Sequence, residues 1–237
     1  MTSAAIHYEK APVTIRPELP EAHDRAWRRL AQPGRWWTGA QRVALAAEVR
    51  KAWSCPLCRS RKGALSPQAV SGEHARSGGA EDLPPAAVDA VHRITTDPGR
   101  LSRSFYAQVR AGGLEEGHYV ELVGVVATLV SIDAFCRGLG LPLRPLPEPA
   151  PGEPSRDRPA GVEDRGAWVP MAAGFGGNVL RALSLVPEEV ENLLDLSAAH
   201  YLPMEQMVDV RQGRASLSRA QIELVAARVS ALRECFY

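Results

Sequence analysis

"EEGHYVELVGVVATLVSIDAFCRGLG", residues 115–140, decides the fold class. From Val120 to Phe135 apolar side chains fall on nearly every side of a helical wheel, so the segment reads as a buried central helix rather than a surface one. No other stretch shows convincing two-residue alternation, and almost every periodic segment has helical spacing. The chain is expected to be all-α.

Working outward, "GRLSRSFYAQVRAG" and "AAVDAVHRI" read as helices before the central one, preceded by the loop "LSPQAVSGEHARSGGAEDLPP" with its Ser, Gly and Pro content. Further back, Thr38 is an N-cap for "GAQRVALAAEVRKAW", and "PEAHDRAWRRLAQ" forms a first helix opening on Pro20, with Ala26, Trp27 and Leu30 apolar. On the C-terminal side, proline breaks every helical period from Leu141 to Trp168. Helices resume with Pro187 at a helix start, and Ser218 caps a last one. The expected organisation is a leader and helix over 1–37, a unit over 38–143, a Pro-rich linker over 144–168 and a second unit over 169–237.

The 237 residues suffice for a substantial core, and a formal charge of +1 provides no global field toward nucleic acid or an anionic membrane. The Arg-rich stretches at Arg25–Ala31 and Cys58–Lys62 are short, so no nucleic-acid partner is expected. A membrane span needs about 20 apolar residues free of charge and turn residues. None is read here, nor a signal-peptide core near Met1, so a cytoplasmic location is expected. Four cysteines would then be kept reduced. The pair Cys55-Pro56-Leu57-Cys58 points to redox chemistry or metal binding.

The two units share a repeat. "GAQRVALAAEVRKAWSC", Gly39–Cys55, superposes without gaps on "RAQIELVAARVSALREC", Arg219–Cys235, with Ala40, Gln41, Ala46, Ala47, Val49 and Cys55 matching Ala220, Gln221, Ala226, Ala227, Val229 and Cys235. The segment "LSRAQIELVAARVSALRECFY" resembles the one leading into the active site of the alkylhydroperoxidase AhpD-like, carboxymuconolactone-decarboxylase-like superfamily. There a helical glutamate precedes a Cys-x-x-Cys by about three turns, and a histidine follows four residues after the second cysteine. Residues 109–143, with a Gly-Leu turn before the long helix, resemble that family's next segment. The resemblance implies an AhpD-like helical fold with one nearly complete unit and the front part of a second.

It also implies an oxidoreductase of antioxidant type, a thiol or selenol peroxidase or disulfide reductase. A glutamate–histidine relay activates the attacking thiol, a hydroperoxide oxidises it, the second thiol closes a redox-active disulfide, and an external thiol reductant restores it. Glu223 and Cys235 match the family's glutamate and first cysteine, while Val43 and Lys62 stand where the first unit should carry its glutamate and histidine. Glu48 is a poor replacement on this reading, because five residues turn a helix by about 140°. Glu121 is expected to face the cysteine pair. His200 is the first replacement proton carrier to test, whereas His92 and His118 read as cap or core-edge residues and Cys136 as a small core hydrophobe. Because the sequence stops at Tyr237, where a second cysteine would be due next, a UGA-encoded selenocysteine is expected there, making the protein a selenoprotein.

The candidate catalytic residues are therefore Cys55, Cys58, Glu223, Cys235 and His200, with no cofactor or metal expected apart from that selenocysteine. Zinc would require four ligands, and only His74 lies near the pair in sequence. Two alternatives stay open: a lactone decarboxylase-like enzyme that leaves the cysteines unused, and a non-catalytic helical oligomer with a degenerate site. A homo-oligomer is expected under all three.

Overall fold

A computed structural model describes residues 8–233 and Cys235. The first seven residues of the leader, and Tyr237 with the selenocysteine expected after it, lie outside the described residues. The protein is all-α: among the described residues there are ten α-helices and no strands, only two isolated bridges. The helices are α1 (Glu18–Ala31), α2 (Gly39–Ala52), α3 (Pro56–Gly63), α4 (Pro85–Thr96), α5 (Arg103–Ala111), α6 (Glu116–Gly138), α7 (Asn178–Leu183), α8 (Pro187–His200), α9 (Met204–Met207) and α10 (Arg219–Leu232).

Local chemistry sets most of these boundaries. Thr38 caps α2 through a reciprocal box, accepting from the Gln41 N–H at 3.2 Å while its own N–H donates to Gln41 Oε1 at 3.0 Å. Ser218 and Gln221 repeat the device on α10. Proline occupies the first turn of α3, α4 and α8, where a missing N–H costs nothing. Helix α1 begins at Glu18, two residues before Pro20, because Pro17 supplies a helix-compatible backbone.

Helix α6 runs through the middle and packs against α1, α2, α4, α7 and α8. Leu122, Leu129, Ile132 and Cys136 on it are fully buried. By length and composition alone α6 could cross a membrane, but 67% of its most apolar window is covered by the surrounding helices. One continuous core extends from Leu19 on α1 to Ala199 on α8. Gly124 brings α8 onto α6, since a Cβ there would lie 2.4 Å from Glu189 Oε2.

Two ionic rungs fasten α2 to α6: Arg42 to Glu121 at 2.5 Å, and Arg50 to both oxygens of Asp133 at 2.8 Å. Arg42 also reaches Glu189 on α8 at 2.9 Å, so one buried guanidinium serves two buried carboxylates. The proline-rich segment wraps α1, accepting from Trp27 Nε1 at Pro145 O and donating from Ala150 N to Ala31 O, each at 2.9 Å. Although α10 repeats the length and cap of α2, none of its residues is buried, and Leu224, Val225, Val229 and Leu232 are exposed.

Candidate functional site

Cys55 is the N-cap of α3, and Cys58 sits in its first turn after Pro56. This places both thiols at the positive end of a helix dipole. Both are reduced and buried, and with Leu57, Val70 and Ala75 they form a small apolar cluster outside the main core.

Two histidines meet the pair. His74, from the loop before α4, points Nδ1 at both sulfurs, 3.6 Å from each. His92, fully buried on α4, points Nδ1 at Cys58 Sγ from 3.2 Å. Each ring is fixed from behind by a carboxylate: His92 Nε2 lies 2.8 Å from Glu48 Oε2, and His74 Nε2 lies 2.8 Å from Asp89 Oδ1. An ionised carboxylate only accepts, so each Nε2 carries a proton; the neutral His92 ring then presents its Nδ1 lone pair to the Cys58 thiol, while His74 Nδ1 faces both sulfurs.

The carboxylates are themselves held. Glu48 Oε1 accepts from the Ser77 N–H and hydroxyl, both at 2.5 Å, and Arg61 donates to Asp89 at 2.5 Å. Burial pushes the Glu48 carboxyl up, but the hydrogen bonds from His92 and Ser77 hold it below its usual range. For Asp89, burial is likewise outweighed by hydrogen bonds from His74 and Arg61, which bring its pKa down to about 2.

The thiols are driven apart. Burial raises the Cys55 pKa, yet the Cys58 backbone N–H, His74 and the Ala75 N–H outweigh it and bring the value down to about 6. Burial and then the adjacent Cys55 charge push Cys58 up to about 12. One thiolate beside one thiol, with a lone-pair nitrogen on the thiol, is the arrangement that results.

The sequence reading changes at several residues. Glu48 does serve the cysteine pair. It is indeed on another face of α2 from Val43, but that face meets α4, and α4 carries the histidine. His92, read as a cap or core-edge residue, lies inside the site. Glu121 does not face the cysteines: it sits against the N-terminal half of α2, where it binds Arg42 and the Trp36 N–H, while the cysteines follow that helix's C-terminal end. His200 packs on His23, with Nε2 atoms 2.6 Å apart, and on Phe135.

Glu223 is bound by the Tyr201 hydroxyl and by Arg219 Nε. Nine residues of helical rise, about 13.5 Å, carry the chain from it to the end of α10 at Leu232, three residues short of exposed Cys235. Glu48, Ser77, Asp89 and His92 were missed as site residues. Two signals pointed to them: a lone glutamate in the apolar run "ALAAEV", and Asp89 and His92 spaced i,i+3 on one helix face. No family model, curated protein or solved structure matches this chain.

Proposed function

We propose that the protein is a thiol-dependent peroxidase or disulfide reductase of the alkylhydroperoxidase type, with Cys55 and Cys58 as its redox centre and residues 38–143 as an AhpD-like unit. The observation that carries this reading is the hydrogen-bonded line Glu48–His92–Cys58, ending three residues from a helix-capping thiol. It supplies the relay whose residues are missing at positions 43 and 62. Glu48 fixes the His92 tautomer and stabilises the imidazolium that forms when Nδ1 takes a proton.

In the first step the Cys55 thiolate attacks the terminal peroxide oxygen. The O–O bond breaks, Cys55 becomes a sulfenic acid, and the leaving alkoxide takes a proton. Next, His92 removes the Cys58 proton, and the Cys58 sulfur displaces the hydroxyl from Cys55, which leaves as water with that proton. The sum is one thiolate, one thiol, one hydroperoxide and one proton giving a disulfide, an alcohol and water. An external thiol reductant returns two electrons and two protons. Both sulfurs are buried, with Val70 and Ala75 of residues 64–84 packed against their cluster.

The test is to treat the reduced protein with tert-butyl hydroperoxide and map the products by alkylation and mass spectrometry. The expected product is a Cys55–Cys58 disulfide. Cys58→Ser should accumulate a Cys55 sulfenic acid, and Cys55→Ser should form neither. If both thiols remain alkylatable after a long exposure, the reading is wrong.

A further inference from the structure

We infer that the reduced protein binds one zinc ion at Cys55, Cys58, His74 and His92. The four donor atoms lie within 4.8 Å of one another. A tetrahedral ion about 2.3 Å from sulfur and about 2.05 Å from nitrogen sets each sulfur and nitrogen about 3.5 Å apart. Three of the four sulfur–nitrogen separations are 3.6, 3.6 and 3.2 Å, and the fourth, Cys55 to His92, lies within 4.8 Å. Two thiolates with two imidazoles in a tetrahedron favour zinc over harder ions, which take oxygen ligands.

A second, independent feature points the same way. Each histidine offers Nδ1 inward and gives its other ring N–H to a buried or half-buried carboxylate, Glu48 or Asp89. Carboxylate–histidine–metal triads have this form, because the carboxylate sets the tautomer and raises ligand basicity. Two thiolates would neutralise the ion.

The local chain also has a use for a staple. Residues 64–84 contain a single turn of 3-10 helix, Pro67–Ala69, as their regular structure. They are held down at His74 to Asp89 and at Ser77 to Glu48, both in this cluster. A metal joining His74 to α3 and α4 would close that loop. The zinc site does not depend on peroxidase activity. It shares two sulfurs with the proposed redox centre, and a Cys55–Cys58 disulfide offers no thiolate, so metal binding belongs to the reduced state.

The experiment is an anaerobic titration of the reduced full-length protein with Co²⁺, followed by displacement with Zn²⁺. The expected result is one equivalent of Co²⁺ with the intense visible bands of a tetrahedral site and a thiolate charge-transfer band, both lost when Zn²⁺ is added. Cys55→Ser should abolish the charge-transfer intensity or roughly halve it, and Asp89→Asn should weaken binding about 10–100-fold. Weak octahedral bands, or no binding while both thiols titrate as reduced, would overturn the inference. Peroxide oxidation of a metal-free, reduced sample of the same protein separates the two readings: Co²⁺ binding without disulfide formation keeps the metal site and removes the peroxidase, and the converse removes the metal site.

Discussion

His92 has no solvent exposure and both ring nitrogens engaged, one by Glu48 and one by Cys58. If it acts as the base, His92→Gln should slow peroxide-driven disulfide formation by about 10²-fold or more. Glu48→Gln should slow it less, because the ring stays near the sulfur while its imidazolium loses a charged partner. Stopped-flow thiol loss checks both. His23, on α1, presents a different case: Tyr8 Oη lies 2.5 Å from its Nδ1, and His200 Nε2 lies 2.6 Å from its Nε2. Burial, then the charges of His200 and Arg144, push the His23 pKa down to about 3, and burial also lowers that of His200. In the unfolded chain these histidines titrate near the ordinary value of about 6.5. Below that pH the unfolded state takes up protons that the folded state refuses, so folding stability is full above about 6.5 and falls with acid down to about 3. The slope from His23 approaches about 1.4 kcal/mol per pH unit. Denaturant titrations at pH 7, 6 and 5 should show it, and His23→Leu should flatten it.

At the scale of elements, α2 and α10 share length, cap chemistry and sequence, yet one is buried and the other is not. The same substitution should therefore have different consequences. Thr38→Ala removes the cap of a helix built into the core and should lower global stability by about 1 kcal/mol. Ser218→Ala removes an equivalent cap from a helix with no fully buried residue. Hydrogen exchange should quicken at the α10 amides while the global unfolding midpoint stays where it was. Equal global losses would mean that α10 packs more firmly than its exposure indicates.

For the whole molecule, the Arg42–Glu121–Glu189 cluster is the polar joint where α2, α6 and α8 meet inside the core. Arg42→Met leaves two buried carboxylates facing each other without a cation. The expected cost is about 3–5 kcal/mol, read as a drop in unfolding free energy. The other whole-molecule feature is the apolar side of α10, with Leu224 71% and Leu232 64% exposed. Uncovered apolar surface of this kind favours association. Sedimentation velocity should show concentration-dependent self-association that Val225→Glu with Leu232→Glu removes. A monodisperse monomer across the concentration range would end the homo-oligomer expectation.

What the sequence determined by itself was local. The capping pairs Thr38–Gln41 and Ser218–Gln221, the helix-start proline at Pro187 and the all-round apolar character of residues 120–135 each depend on neighbours within a few positions. Side-chain periodicity and hydrogen bonding along the chain encode them directly. Cys55 and Cys58 were legible for the same reason, as a short motif at a helix start. The partners of those cysteines were decided by tertiary structure alone. Glu48 and His92 are 44 residues apart and meet only because α2 and α4 pack face to face, while the intervening loop folds back to deliver His74 and Ser77. Reasoning about one helix face excluded Glu48 correctly from the face of Val43. Which face meets the site is set by how separate helices bury their apolar stripes against α6, and no local pattern records that.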